Sequence, residues 1–363
     1  VFDTTRGLGT LPTPQLVRST VLLHACASHA VVLAGCALLR AAVQRPDGLG
    51  RPALLAARHT FFRQFVAGER LADVKTVAAR LRTSGVRCIV DHSTEELEHA
   101  EARRDNLHTK LKLLGRLREE MRESCAFVPV KPTALAPPKI LERLTEGERA
   151  VRAARGEGAR GSTARSASSS SSAAASAAAG QGCEPPSLEE AAAAAQLSRA
   201  ESSALAEGMA GLRGLCDGAR AAALPLLLDA EQSHRQPAIG MLARTLSREY
   251  NPPGAAPLLY NTHQAYLRGA EARLREELAH ARTHGYTLAV KLVRGAYTEG
   301  EVQRGNATAL QPSKAATDEA YDACAALLLR RLAAADAPAL EAARRAPAAG
   351  GSRGEAAAAA AAP

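Results

Sequence analysis

Val290-Lys291-Leu292-Val293-Arg294-Gly295-Ala296-Tyr297 joins a short apolar run to a polar, glycine-containing turn. The run predicts a buried strand, and a helical pattern follows it over residues 313–331. Lys291 and Arg294 bring positive charge to the carboxyl end of this strand, and Gly295-Ala296 lets a flat ring or a phosphate approach the backbone. The segment is typical of a strand–helix unit whose strand end binds a ligand.

The same pattern occurs four more times upstream. Each apolar run ends in polar residues and precedes a helical stretch; the five predicted strands cover 86–90, 126–130, 224–228, 257–260 and 287–293. Consecutive strand–helix units imply parallel strands joined by right-handed crossovers. A (βα)8 barrel and an open doubly wound sheet both give this alternation, and periodicity does not separate them.

Segments outside this pattern define the predicted organisation. Residues 1–84 are expected to form a helical arm, residues 85–332 a partial barrel with a low-complexity insert at about 156–182, and residues 333–363 a low-complexity tail. The barrel pattern stops after five units, so we expect a C-terminally incomplete barrel. Residues 20–43 are apolar enough to prompt a membrane check, and we interpret them as buried helices of the arm. The chain starts at Val1 rather than Met, so we expect that any targeting peptide was lost or never included, and its absence says nothing about destination.

Charge and cysteine content argue against nucleic-acid binding and against a structural zinc site. Lys and Arg number 46 against 37 Asp and Glu, which gives a formal net charge of +9. Because these cations are spread along the chain and no basic run is interleaved with aromatics, nucleic-acid binding is not predicted. The seven cysteines form no CxxC pair. They favour a reducing compartment and give no structural zinc motif.

Two short motifs do not predict a binding site. His280 and His284 are four residues apart on a predicted helix, but no HExxH pattern supports them, so we expect a solvated pair and no metal. Residues 156–161 fit GxGxxG but lack the strand before and the helix after that a phosphate-binding loop needs.

Polar residues follow the predicted strands, where the loops of a parallel sheet converge on one face. Independent structural polar residues would have no need to share one end of a sheet. Cations there suit an anionic substrate or an anionic cofactor. The residues concerned are Lys131, Asp229, Glu231, Gln264, Lys291 and Arg294.

The sequence motifs at these strand ends resemble those of the proline dehydrogenase family. The segment Val290 to Tyr297 resembles the family's most distinctive motif. The others, in the family's order, are Phe65-Val66-Ala67-Gly68-Glu69, Ile89-Val90-Asp91-His92-Ser93, Val130-Lys131-Pro132-Thr133-Ala134-Leu135, Leu228-Asp229-Ala230-Glu231 and Tyr260-Asn261-Thr262-His263-Gln264.

The resemblance implies an α/β fold, an incomplete (βα)8 TIM-type barrel with about five units. It implies FAD-dependent oxidation of L-proline to Δ1-pyrroline-5-carboxylate, with electrons passed to quinone. In eukaryotes it further implies a mitochondrial protein on the matrix side of the inner membrane, peripherally associated. The alternatives left open are an inactive remnant acting as a helical binding or scaffold protein and another TIM-barrel enzyme with a lysine base.

The resemblance also assigns roles residue by residue. Lys131 would be a catalytic residue that lies by the substrate carboxylate, with Asp91 as a second catalytic residue supporting it, and Tyr297 would also bind the substrate. Lys291 would be a catalytic cation beside the flavin. The remaining predicted cofactor contacts are Asp229, Ala230, Gln264, Val293, Gly295, Ala296 and Thr317.

The sequence departs from the family pattern in two places. Pro132 follows Lys131 where the family has a β-branched residue, and this removes one backbone donor. The family's last three units, with a strand ending in Thr-His-Asn and paired arginines that clamp the proline carboxylate, have no counterpart here. Lysine performs such a bidentate task poorly.

Overall fold

The computed structural model describes residues 12–45, 48, 50–92, 94, 96–156 and 184–345, with side-chain environments up to residue 335. The chain divides into two compact units, residues 1–88 and residues 89–363. The predicted insert falls almost entirely on 157–183, which lies outside the described residues, as do residues 346–363 of the predicted tail.

The first unit is helical. Its helices are α1 (Thr13–Ala27), α2 (His29–Gln44), α3 (Gly50–Ala57) and α4 (Leu71–Thr83); α3 continues through a π-helical turn, Arg58–Phe62, and one further turn, Arg63–Phe65. Among the described residues no single helix is long and apolar enough to cross a membrane. By length and composition, α1 and α2 pass that test only as a pair, with a bend of 98° between them.

The expectation that residues 20–43 are buried is wrong. Large apolar side chains on both helices face solvent; for example, Val21 is 62% exposed and Leu38 is 60% exposed. Among the described residues, the only buried position on α1 is Leu22 and the only one on α2 is Ala42.

The second unit is built on a five-stranded sheet. Its strands are β1 (Cys88–Ile89, at the boundary between the units), β2 (Cys125–Val130), β3 (Leu226–Leu228), β4 (Leu259–Gln264) and β5 (Val290–Val293). They lie in chain order, and β2 to β5 pair in parallel. A doubly wound sheet reverses direction at a switch point, whereas a barrel adds each strand beside its predecessor. The order therefore confirms the barrel-type fold that periodicity alone left open.

Helices connect the strands and cover the sheet. They are α5 (Ala100–Met121), α6 (Pro138–Ala154), α7 (Leu188–Ala194), α8 (Arg199–Ala222), α9 (Gln236–Tyr250), α10 (Ala270–His284), α11 (Thr298–Gln303) and α12 (Lys314–Arg345). Leucines on their inner faces, such as Leu117, Leu144 and Leu242, are fully buried. These leucines form the apolar core, because the sequence has few aromatic residues to contribute to it.

Two elements continue well beyond their predicted ends. β4 continues to Gln264, so residues 261–264 belong to a strand rather than to the loop after it. α12 continues to Arg345, well past the predicted end at residue 331. Alanine is the strongest helix former, so this alanine-rich segment extends the helix without needing an apolar stripe.

Candidate active site

One row of polar residues crosses the sheet near the carboxyl ends of its strands. The strand register pairs Val130 with Leu228 and Leu228 with Asn261, while Thr262 pairs with Lys291. The next residues after Val130 and Leu228 therefore lie level with the last pair. Side chains level with one another on adjacent parallel strands share a face. We call Lys131, Asp229, Thr262 and Lys291 the polar row.

Two members of the polar row, Lys291 and Asp229, form an ion pair. Lys291 Nζ donates to Asp229 Oδ1 over 2.6 Å, and both side chains are partly buried, at 32% and 17% exposure. Asp229 is itself fixed by its backbone N–H, which donates to the carbonyl of Val130. The lysine predicted to contact the flavin thus has a carboxylate counter-ion from another strand end.

The other cation of the polar row, Lys131, lies beside Tyr297. Its Nζ is 3.5 Å from the Tyr297 hydroxyl, which is a long hydrogen bond. Tyr297 precedes α11, 166 residues later in the chain. The two residues predicted to contact substrate are therefore neighbours at the sheet end.

Asp91 and Lys110 add a second pair of charges. Burial raises the pKa of the Asp91 carboxyl, opposed mainly by the positive charge of Lys110 and less by that of Lys131. Lys110 is 2% exposed and donates to the carbonyl of His92 over 3.0 Å. Burial lowers the pKa of Lys110, and the carboxylates of Asp91 and Asp229 act in the opposite direction.

Lys110 was not among the predicted site residues, although the sequence carries a signal for it. The buried positions of α5 recur every three or four residues, and Lys110 occupies one of them; they are Arg103, Asn106, Lys110, Leu114, Leu117 and Met121. A charged residue on the buried stripe of a helix needs a partner at the sheet end, which the His92 carbonyl supplies.

Glu231 links the carboxyl ends of β2, β3 and β4 by hydrogen bonds. Its carboxylate, 2% exposed, accepts bonds from the backbone N–H and the hydroxyl of Thr133, and its carbonyl accepts a bond from Gln264 Nε2 at 2.8 Å. Burial raises the pKa of Glu231, against the hydrogen bonds from Thr133. Gln264, a predicted cofactor contact, thus lies at the same sheet end with its amide orientation fixed by hydrogen bonding.

A second carboxylate joins the loop after β3 to α11. Glu301 is fully buried and accepts bonds from the backbone N–H and the hydroxyl of Ser233. With the bonds made by Glu231, this contact restrains the loops around the polar row, as a ligand site on a rigid scaffold requires.

The turn after β5 requires its glycine. Gly295 has a φ of +123°, and a Cβ there would lie 2.2 Å from the Tyr266 ring. The neighbouring residues predicted to contact the cofactor differ in solvent exposure: Val293 is half-buried and Ala296 is exposed. Ala230, by contrast, is 7% exposed. The Tyr266 ring therefore fills the space that a side chain at Gly295 would need, and the positive φ favours glycine as well.

Thr317 lies in the first turn of α12. Its hydroxyl donates to the carbonyl of Ser313. The next residue, Asp318, accepts a bond from Arg294 just after β5. The guanidinium of Arg294 also lies over the Tyr321 ring, 4.2 Å from its centroid. Thr317 is therefore placed near the β5 end, with its hydroxyl engaged by its own helix.

Two buried hydroxyls near the sheet end lack protein partners. Within the described residues these are Thr262 Oγ1, in the polar row, and the Tyr266 hydroxyl, two residues after β4. Most buried polar atoms in folded proteins are paired, so unpaired ones are expected where a ligand supplies the partners. The cations and these hydroxyls fit a polar and anionic cofactor such as FAD.

The chain is similar in sequence to known dehydrogenases of proline and hydroxyproline. A family model described as "Proline dehydrogenase" matches residues 74–357. The hydroxyproline dehydrogenase of Mus musculus is 29% identical over 341 residues, which covers 88% of this chain and 68% of the relative. The mitochondrial proline dehydrogenase 1 of Arabidopsis thaliana is 27% identical over 308 residues, covering 82% of this chain and 58% of the relative.

A solved structure shares the fold. Proline utilization A from Bdellovibrio bacteriovorus, in a form inactivated by N-propargylglycine, matches with a TM-score of 0.54 and 17% identity. The match covers 78% of this chain and 26% of that one, so the chain corresponds to about a quarter of that protein. Since the family model spans most of the sequence, including all five strands, this chain belongs to the proline dehydrogenase family.

Proposed function

We propose that this chain carries the site of an FAD-dependent enzyme that oxidises L-proline to Δ1-pyrroline-5-carboxylate. The observation that carries the proposal is the polar row, with two lysines flanking Asp229 and Thr262 at the carboxyl end of a barrel-type sheet. Membership of the proline dehydrogenase family over residues 74–357 gives that geometry its chemical interpretation.

The residues at the β4 and β5 ends would hold the cofactor. Lys291 and Gln264 would lie against the ring system, where a cation stabilises negative charge. Val293, Gly295 and Ala296 would offer backbone to it, and Thr262 Oγ1 supplies a buried hydroxyl that has no partner among the described residues. When bound, FAD would accept the two electrons that leave the substrate as hydride.

Lys131 and Tyr297 would handle the substrate. The ammonium of Lys131 would attract the proline carboxylate, and the Tyr297 hydroxyl beside it would restrict where the ring can lie. Oxidation removes a hydride from the ring carbon next to nitrogen and a proton from the nitrogen, leaving a C=N bond. Asp91 and Lys110 would set the charge around Lys131, because their electrostatic influence reaches it.

The proposal extends to the electron acceptor and the location. We propose that electrons pass on to a quinone and that the protein works in mitochondria, at the matrix side of the inner membrane as a peripheral protein. Support for the location comes from relatives whose names include "mitochondrial", among them two from Arabidopsis thaliana.

A second candidate substrate is 4-hydroxy-L-proline. Several of the matched relatives are named hydroxyproline dehydrogenase. The ring would carry one more hydroxyl, and the reacting carbon would be the same.

The test is product formation by the purified chain with added FAD and a soluble quinone. The expected result is a pyrroline product, trapped with o-aminobenzaldehyde, from L-proline and none from D-proline. Replacing Lys131 with Met should raise KM for L-proline more than it lowers kcat, whereas Lys112→Met, on an exposed face, should change neither. Turnover of 4-hydroxy-L-proline alone would assign the second substrate. No product from either substrate would favour a helical binding or scaffold protein.

A further inference from the structure

Three ligand-type side chains meet away from the polar row. His280 and His284 lie one turn apart on α10, and Glu184, which precedes α7, lies against both. The Glu184 carboxylate oxygen is 2.5 Å from His284 Nε2 and 3.9 Å from His280 Nε2. One ligand atom from each of the three residues lies within 4.8 Å of the other two.

We propose that Glu184, His280 and His284 form a binding site for a borderline divalent transition metal, with zinc the best fit. Two imidazoles and one carboxylate are a common zinc donor set, and zinc–ligand bonds of about 2.0–2.2 Å put neighbouring ligand atoms about 3.3 Å apart. The observed separations of 2.5 and 3.9 Å lie on either side of that value.

The side chains are oriented as ligands require. The Tyr286 hydroxyl lies 2.9 Å from His280 Nδ1, which leaves Nε2 directed at Glu184. A hydrogen bond at the second ring nitrogen fixes the imidazole and is typical of metal-bound histidine. The two imidazole centroids are 4.2 Å apart, so the rings already share one side of α10.

Glu184 is held in place although its side chain is exposed. Arg155 donates to its carbonyl over 2.7 Å, and Arg244 donates to the carbonyl of Pro186 two residues later. Arg244 forms a buried ion pair with Glu277 at 3.1 Å, which offsets part of the positive charge that it brings near the site. The backbone around Glu184 is therefore fixed, and its carboxylate oxygen needs to move by less than about 1 Å to reach the ligand spacing of about 3.3 Å.

Space for a further metal ligand lies beside the three side chains. A cleft of about 110 Å³ borders Glu184 and His280 and continues past Thr245 and Arg248. A metal with three protein ligands completes its coordination with water or a small ligand, and this cleft has room for it.

The structure contradicts the sequence interpretation of a solvated histidine pair. His280 is only 8% exposed, because α10 turns it toward Tyr286. Sequence spacing pointed to two possible ligands and could not reveal the third, which lies about 100 residues earlier. A hydrogen bond between His284 and Glu184 would also account for this contact without a metal. Metal-binding measurements distinguish a metal site from a hydrogen bond alone.

The metal would fasten two distant parts of the second unit. Glu184 follows the 157–183 segment and Arg155 precedes it, and these two residues are already bonded to each other. A metal at Glu184 would tie this junction to α10. The site is distinct from the polar row, so the proposal stands or falls independently of proline oxidation.

The experiment is zinc binding to the untagged chain after its accessible thiols have been alkylated, measured by competition with a chelating dye. The expected result is one site of micromolar or tighter affinity, weakened about tenfold or more in Glu184→Gln and in His284→Gln. His108→Gln, at an exposed histidine on α5, is the matched control and should bind zinc as the wild type does. Cobalt should give a ligand-field absorption band in the wild type and in the control only.

Folding does not confound the result, because Glu184 and His284 are replaced rather than the buried His280. Circular dichroism of each variant would verify this. Tyr286→Phe keeps all three ligands and should weaken zinc binding about tenfold through loss of the bond to His280. Equal zinc affinity in the wild type, Glu184→Gln and His284→Gln, or no binding in the wild type, would overturn the proposal.

Discussion

Lys291 on β5 reaches across β4 and places its ammonium 2.6 Å from the carboxylate of Asp229, which follows β3. The two side chains lie on either side of Thr262, whose hydroxyl is buried without a partner among the described residues. An ion pair spanning three strands links the strand ends of the barrel-type sheet. It also holds a cation where the family resemblance expects the flavin.

This ion pair should contribute to stability. In a double-mutant cycle with Lys291→Met and Asp229→Asn, we expect a coupling free energy of about 1 kcal/mol, because both groups are partly shielded from water. The measurement is urea unfolding of the wild type, the two single variants and the double variant.

The surface pair Asp217 and Arg220 is the matched control, with side chains 55% and 66% exposed. Its coupling should be near zero, since solvent screens exposed pairs. Equal coupling in the two cycles would show that the Lys291 pair behaves as a surface pair.

Gly295 should tolerate no side chain. Gly295→Ala is expected to cost about 3 kcal/mol or more, because the new Cβ adds a clash with the Tyr266 ring to an unfavourable φ. Gly254→Ala has a positive φ of +78° and open space around the new Cβ, so it should cost about 1–2 kcal/mol. Unfolding free energies of the two variants test this difference, and equal losses would exclude the ring contact as its cause.

Glu231 should make stability fall as pH rises. Burial raises its pKa in the folded state, so above the ordinary glutamate value of 4.5 the folded chain keeps a proton that the unfolded chain has lost. Folding is therefore penalised progressively up to the raised pKa. Glu231→Gln retains an acceptor for Thr133 and lacks this titration.

The measurement is the unfolding free energy of the wild type minus that of Glu231→Gln, taken at stepped pH. The difference should decrease as pH rises above about 4.5. A difference that increases with pH would mean that the hydrogen bonds from Thr133 outweigh burial and that the pKa of Glu231 is lowered.

Lys110 should control the titration of Asp91. Among the charges acting on Asp91, that of Lys110 lowers its pKa most. Lys110→Met should therefore raise the pKa of Asp91 further, observed as a shift of the side-chain carboxyl carbon in an NMR titration. Lys112→Met, an exposed lysine on the same helix, should leave it unchanged. An unchanged pKa in Lys110→Met would remove Lys110 from the site.

Much of the fold could be predicted from short apolar runs, because buried parallel strands are continuously apolar and their loops are polar. The same rule misassigned Thr262 and Gln264, since polar residues inside a strand look like a loop. It also missed Lys110 and the burial of His280, because charged and titratable side chains are assumed to face water. Strand order, ion pairs across strands and the position of Glu184 depend on contacts distant in sequence, which one sequence does not display.

The central claim is that the polar row serves a flavin-dependent oxidation of L-proline. The most direct test is the visible absorption spectrum of the purified chain with FAD, recorded before and after anaerobic addition of L-proline. We expect a bound flavin that bleaches with L-proline and stays oxidised with D-proline, and weaker flavin retention in Lys291→Met. A chain that retains no flavin, or a bound flavin that L-proline leaves oxidised, would contradict it.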